Sequence, residues 1–472
     1  MSQSIYKNVT NSFQLELPEC DTLDDYLDKI LPKVIKWNEP LSSLSFLNKR
    51  WLEIRDDDEF KDNIPIKQVD TKNKVVPNSV IKIKLKPKTD QKRVLNHIFG
   101  THRFIYNKLV SEFNKNSKQK DNYYREFAKK SYVLANYPKY FHHIQEEVFD
   151  SAFRSFKTAK NNAFEQSKKR KAQTGKGFQV KLHFKTKKDS SNSIDIRARN
   201  IKGKNKTIRF WPIIWKFENV KPEIQVSNNL PNLTNSIKLI RNRLSEYYIA
   251  IPTYKDFPVT ESLAICALDP GVRTFQTLYD PDGVTISFGT NFSKIRNKLL
   301  RYSTLQSKIE KAKQNKNKTK QFKNKIRSYH KEKKYIYKKI HNIRSDLHHK
   351  LSHWLSTNYK EVLLPDFNTQ QMVKKSTCRK INRKTVQSML TWSHYSFKML
   401  LKYKMARTGG KLIICKEHYT SKTCSNCSQI NTKLGSNKIF KCNACNNQID
   451  RDINGAFNIF RKNNHLTTTT MF

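Results

Sequence analysis

The 472-residue sequence predicts a multidomain α/β protein, and three observations carry that prediction. Short apolar runs that read as strands alternate with long stretches of helical periodicity. The charge changes sign along the chain: residues 1–70 hold 14 acidic and 9 basic side chains, a net of −5, whereas the whole carries +51, so the other 402 residues hold about +56. Finally, Cys424, Cys427, Cys442 and Cys445 follow the spacing C-x2-C-x14-C-x2-C, which suits a zinc ribbon whose two knuckles present four thiolates to one tetrahedral ion. Four thiolates leave zinc no open position, so its expected role is structural.

In chain order, residues 1–75 mix acidic and apolar positions, including Trp37, Phe46 and Trp51, and form an acidic N-terminal extension. Val80–Leu85 alternates apolar and basic residues until Pro87 stops it, giving a first β strand within residues 76–90. A helical domain over 91–166 follows. Val94, Leu95, Ile98, Phe104, Ile105 and Leu109 share one face, and a second helix runs from about residue 144 to 166. Residues 167–260 return to alternating segments, such as Phe178–Phe184 and Tyr247–Ile251, and complete a β-barrel or sandwich. Residues 261–420 mix buried strands with a helical hairpin, 292–357, whose stripe is Ile336, Ile340, Ile343, Leu347, Leu351 and Trp354 and whose turn lies near Gln314–Lys323. The ribbon takes 421–448, a last helix 449–462, and a Thr-rich tail, 463–472, is expected to be disordered.

So large a positive charge points to a polyanionic partner, because lysines and arginines gain most by replacing counterions on phosphates. No run of 18 apolar residues and no signal-like start is present, so the expectation is a soluble, non-secreted protein without a membrane partner. Cys20, Cys266, Cys378 and Cys415 are scattered and suit a reducing compartment. Lys168–Lys171 reads weakly as a nuclear signal.

Several apolar runs end in acids. Leu263–Leu268 leads into Asp269-Pro270-Gly271, Val362–Leu364 precedes Pro365-Asp366, Leu412–Cys415 precedes Glu417, and Asp450 and Asp452 follow the ribbon. Carboxylates gathered from separate elements repel one another unless divalent cations lie between them. Two Mg²⁺ about 3.5–4 Å apart would activate a water and stabilise the leaving oxygen of a phosphodiester.

Asp269-Pro270-Gly271 after a strand, Tyr419 through Cys427, and Asp450 through Ile459 resemble the split RuvC and zinc-ribbon region of TnpB-like nucleases. Upstream, Lys84–Pro87, Phe99-Gly100 and Arg103–Asn107 are similar to the family's N-terminal block, and Trp392–Lys404 to the helix before its final strand. The resemblance covers about residues 80–462. Within the superfamily the chain looks most like Fanzor, the group of eukaryotes and their viruses. Bacterial TnpB has a Glu where this chain has Pro365, whereas Fanzor proteins often place it beside the Tyr-Thr-Ser block, where Glu417 stands. The resemblance implies an RNase H-like RuvC domain with a helical insertion and a zinc ribbon, preceded by a wedge-like β-barrel with a helical recognition insertion. It implies an RNA-guided DNA endonuclease, with two catalytic Mg²⁺ on Asp269, Glu417 and Asp452, Glu417 being preferred to Asp366. One structural zinc on the four cysteines, a transposon-encoded guide RNA, double-stranded target DNA with a short adjacent motif, one protein per RNA, and a nuclear or viral site of action complete the expectation. Its rivals are a catalytically inactive RNA-guided regulator and a transposase of its own element.

Overall fold

The computed structural model describes residues 77–467 apart from 138–140, 188, 190, 291–292, 315–318, 374–380, 433–434 and 436. The acidic extension, Cys20, Cys378 and part of the hairpin turn lie outside the described residues. The described residues form two compact units, one within 77–255 and one within 256–467. Among the described residues no helix is long and apolar enough to cross a membrane.

The first unit is built on a seven-stranded antiparallel sheet in the order β2-β6-β7-β1-β5-β4-β3. Its strands are β1 (Ser79–Lys86), β2 (Ser191–Ile196), β3 (Ile201–Lys204), β4 (Thr207–Phe210), β5 (Ile224–Val226), β6 (Ile237–Asn242) and β7 (Tyr247–Thr253). The alternation in β1 works as period-two strands require: Ile83 and Leu85 are buried while Lys82, Lys84 and Lys86 face solvent. The hydrogen-bonded order runs from β2 to β3 without closing on itself. Helices α1 (Thr89–Lys115) and α2 (Glu146–Thr174) pack together and share one apolar core with the sheet. Helix α2 continues eight residues past the expected end at 166 and stops at Gly175, whose φ of 72° is the left-handed cap conformation.

The Phe178–Phe184 segment is not a strand. Backbone groups in and just after it are paired by side chains instead: Leu182 and Lys185 donate their N–H groups to Asn114 and Asn107, which return bonds to the carbonyls of the same two residues. Alternation in the sequence reports an extended chain but not what satisfies its backbone.

The second unit carries a five-stranded sheet in the order β10-β9-β8-β11-β12, formed by β8 (Ile265–Pro270), β9 (Gln276–Tyr279), β10 (Thr285–Phe288), β11 (Glu361–Pro365) and β12 (Lys411–Cys415). β8, β9 and β10 pair antiparallel, and β11 runs parallel to both β8 and β12. This is an RNase H-like arrangement, and it brings the C-terminal ends of β8, β11 and β12 to one edge. The hairpin α3 (Ser293–Gln314) and α4 (Lys320–Asn358), then α5 (Arg383–Trp392) and α6 (His394–Arg407), belong to one face, where Cys266, Leu268, Leu278, Val362 and Leu364 meet Leu351, Leu355, Phe397, Leu401 and Met405. On the other face, Ile265, Ala267, Leu363, Ile413 and Cys415 pack on Ile459 and Phe460 of α7 (Arg451–Asn463). β13 (Ile439–Lys441) and β14 (Gln448–Asp450) form the ribbon hairpin ahead of α7. The tail begins later than expected, because Asn463 is still helical and buried and Asn464–Leu466 forms a further turn.

Candidate active site and zinc-type cysteine quartet

Strand parity decides which acids meet. Side chains alternate between faces, so Asp269 follows Ile265 and Ala267 onto the α7 face, and Glu417, two residues beyond Cys415, continues the parity of Ile413 and Cys415 onto the same face. Asp366 continues the parity of Val362 and Leu364 and belongs to the opposite face. There it is ion-paired with Lys398 of α6, Oδ1 to Nζ 2.6 Å.

Asp452 arrives from α7. Asp450 caps that helix by accepting from the Asp452 N–H at 2.9 Å, which leaves the Asp452 carboxylate free of the cap. Asp452, Gly455 and Ile459 lie three and four residues apart on one stripe, and Ile459 fixes that stripe against the sheet. A Cβ placed on Gly455 would stand 2.6 Å from Asp269 Oδ2, so only glycine lets the helix come this close to the carboxylate.

Asp269, Glu417 and Asp452 are each half-buried, and none has an ion-pair partner among the described residues. Burial, then the Asp452 and Glu417 charges, hold the Asp269 carboxyl well above the usual carboxylate range. Burial raises Glu417, with Asp366 adding to the shift and His418 opposing it. Burial and then Asp450 raise Asp452, while a hydrogen bond with the Thr274 side chain opposes them. Thr277, which pairs with Asp269 across β8 and β9, carries a buried Oγ1 with no protein partner. The donor set is therefore a group of carboxylates with no ion pair among the described residues, only partly offset by Arg451 and Lys438, beside an unsatisfied hydroxyl, chemistry that a divalent cation and its waters would complete.

The approach to Asp269 is shaped locally. A Cβ on Gly271 would lie 2.6 Å from the Thr274 carbonyl oxygen, so the tight turn after Pro270 requires glycine. Trp392 Nε1 donates to the Val272 carbonyl at 3.0 Å and pins that turn. After β12, Thr420 Oγ1 donates to the Glu417 carbonyl at 2.8 Å, and Tyr419 takes φ 64°, a left-handed conformation unusual for a side chain of its size.

The four cysteines converge: their sulfur atoms all lie within 4.8 Å of one another, the only such group of three or more metal-ligand side chains among the described residues. The Cys424–Cys445 and Cys427–Cys442 sulfurs are 3.7 and 3.5 Å apart. A tetrahedron with Zn–S bonds of about 2.3 Å has edges of about 3.8 Å, so the quartet fits zinc. The Asn447 backbone N–H pulls the Cys445 thiol down to about 6, toward the thiolate a metal needs.

One feature that the sequence reading missed ties ribbon to acids. Asn454 of α7 accepts from the Ser425 N–H and donates to the Thr423 carbonyl, at 2.9 and 2.8 Å. Asn458 donates to the Thr420 and Thr423 carbonyls, Lys462 to His418 and Asn463 to Lys416. The helix that presents Asp452 thus gathers carbonyls along the segment running from Glu417 to the first zinc knuckle. The signal was available in the sequence as asparagines at i and i+4 within the otherwise apolar run Ile453–Phe460.

The sheet order, acids at its strand ends and a cysteine ribbon just before the last helix define the class as an RNase H-like fold with a cysteine ribbon. Three family profiles match in chain order: a helix-turn-helix domain over residues 78–123, a probable transposase over 249–376, and the Cas12f1-like TNB domain over 394–459. The chain is 28% identical over 418 residues to the putative transposase A625R of Paramecium bursaria Chlorella virus 1, spanning 83% of this chain and 88% of that one. It is 24% identical to the TnpB-like protein L79 of Acanthamoeba polyphaga mimivirus, over 84% and 76% of the two chains. It is also 24% identical to the putative RNA-guided DNA endonuclease InsQ of Escherichia coli K12, over 80% and 90%. These profiles and viral relatives support a Fanzor/TnpB-like family assignment.

Proposed function

We propose that this protein is an RNA-guided DNA endonuclease whose single RuvC-type site hydrolyses phosphodiesters with Asp269, Glu417 and Asp452. The observation that carries the reading is that three half-buried acids, two of which raise the Asp269 carboxyl by their charge, have no ion-pair partner among the described residues of a chain of net charge +51. A protein with so many lysines and arginines could neutralise these acids with one of them. Leaving them without an ion pair suits divalent cations, two of which would serve a phosphodiester. When bound, Mg²⁺ would activate the attacking water and stabilise the leaving oxygen. The chain's own part is to orient the carboxylates: Gly455 admits Asp269 against α7, and the Asp450 cap fixes the start of that helix.

The structural role of zinc, on Cys424, Cys427, Cys442 and Cys445, is to hold the ribbon. The surplus of about 56 positive charges beyond residue 70 suits a structured guide RNA as well as a DNA duplex. The seven-stranded sheet with α1 and α2 is the candidate wedge and recognition unit, reading a short motif beside the target. Action would take place in the nucleus or a viral compartment, with one protein per RNA. Coexpression with its flanking DNA, followed by sequencing of copurified RNA and cleavage of a matched duplex in Mg²⁺, tests the reading. A discrete RNA whose 3′ end directs cutting supports it. Heterogeneous RNA stripped at moderate salt, or cutting indifferent to guide sequence, sinks it.

A further inference from the structure

The opposite face of the same strand ends holds a cavity of about 290 Å³, lined by Pro270, Gln276, Pro365, Asp366, His394 and Lys398, with Tyr395 among its other walls. Two of its walls carry buried polar groups that the protein leaves unused. Gln276, 1% exposed, has no partner for Oε1. His394, 4% exposed, completes no hydrogen bond at either ring nitrogen, although the Gly271 backbone biases it toward protonation. Burial outweighs that bias and lowers His394 to about 4, so the ring offers one donor and one acceptor at neutral pH. Buried polar atoms are ordinarily paired, and two orphans lining one cavity mark it as built for a polar occupant.

The walls also say which occupant. Asp366 and Lys398 neutralise one another at 2.6 Å, so the interior offers no net charge to a phosphate. Tyr395, 65% exposed, presents a ring with Lys398 Nζ 5.6 Å from its centroid, a platform for stacking. Pro270 adjoins Asp269 in sequence, and Pro365 pairs with Cys415 on the strand leading to Glu417, so the cavity adjoins the strand ends that carry the acids. We propose that this cavity receives one unstacked nucleobase of the single-stranded DNA being cut, stacked on Tyr395 and hydrogen-bonded to Gln276 Oε1 and His394, and thereby sets which phosphate reaches the acids. The choice of DNA as the occupant rests on the nuclease reading above; the base-binding chemistry does not.

The test uses the full chain with its copurified RNA, in EDTA, and a short single-stranded DNA carrying 2-aminopurine. Gln276→Leu removes the unpaired oxygen with similar shape, and Tyr395→Ala alters an exposed ring, so both variants should melt as the native chain does. Each is expected to weaken probe binding about fivefold or more, the lower end of what one stacked base contributes, and to abolish the 2-aminopurine response. The salt dependence of binding should keep its slope, because no phosphate contact is lost. Native affinity and response in both variants, or weakening accompanied by a shallower salt slope, overturns the proposal. An RNA oligonucleotide of the same sequence that loses affinity in the variants while the DNA does not overturns the assignment to DNA. A native chain that responds to the probe yet never cleaves guided DNA refutes the nuclease reading and leaves the cavity's role standing. Guided cleavage alongside variants that bind the probe normally does the reverse.

Discussion

At the ends of β8, β11 and β12, the two faces of one sheet treat the same kind of residue in opposite ways. On the α7 face, Asp269, Glu417 and Asp452 have no ion-pair partner among the described residues, and Arg451 only partly opposes the upward shift of Asp269. On the α6 face, Asp366 is bound to Lys398 and sits on the wall of a cavity. Only a one-residue difference in strand parity separates Asp366 from the active face. The comparison teaches that an acid near a strand end is defined by the side of the sheet it leaves from and by whether the fold supplies its counter-ion.

The sharpest way to break this contrast is to neutralise one acid on each face. Glu417→Gln keeps the shape and removes charge, so cleavage should fall by about 10³-fold or more, as when one transition-state stabiliser is lost, with target binding retained. Asp366→Asn should stay within about tenfold of the native rate, a change of ~1.4 kcal/mol. Normal cutting by the first and none by the second would reverse the assignment of the faces.

Next in size is the ribbon. Cys442→Ser should release zinc, measurable as metal content, and open residues 421–448 to protease, because a structural site's binding energy is folding energy. The seven-stranded unit should melt unchanged. Full zinc content in the variant would refute the four-thiolate site.

Gly455→Ala sharpens the comparison differently. Alanine inside a helix ordinarily stabilises by about 0.5–1 kcal/mol relative to glycine, yet here the methyl meets Asp269 Oδ2. A carboxylate displaced by about 1 Å can cost ~10²-fold in rate, so cleavage should drop while α7 keeps its helicity. An active Gly455→Ala enzyme would show that Asp269 does not work where it stands.

The smallest effect is on stability against pH. The carboxyl of Asp269 is held above its ordinary value, so the folded chain keeps a proton that the unfolded chain releases, and stability falls as pH rises from about 4 through the folded value. In EDTA, Asp269→Asn should lose less Tm than the native chain between pH 5 and 8, and added Mg²⁺ should raise Tm in the native chain only. Parallel Tm curves for the two chains would remove the case for a charge cluster.

Much of this site could be read from the sequence because buried parallel strands are short apolar runs whose ends are visible. The family resemblance placed Glu417 ahead of Asp366 with strand parity in agreement, and the cysteine spacing announced the ribbon. The cavity was invisible, since Gln276 and His394 become meaningful only when β9 and α6 bring them to one wall. The Phe178–Phe184 error has the same origin: the pattern shows which faces a chain presents, not the partner, and here the partners were two asparagines of α1. Gly455 and the asparagines of α7 sit in a motif that family resemblance highlights, but their task is a matter of close approach and carbonyl pairing that only coordinates reveal.

The asparagine contacts of α7 also bear on how this protein can change. Because the helix grips the chain from Lys416 to Ser425, the stretch between the two knuckles is a detour whose base is clamped at both ends. Lengthening such a detour costs only about 0.6 kcal/mol per doubling of loop length, and it pulls on neither acid. The tip between Cys427 and Cys442 is therefore the place where the chain can acquire new sequence, and with it new contacts, while the distance between Glu417 and Asp452 stays as it is.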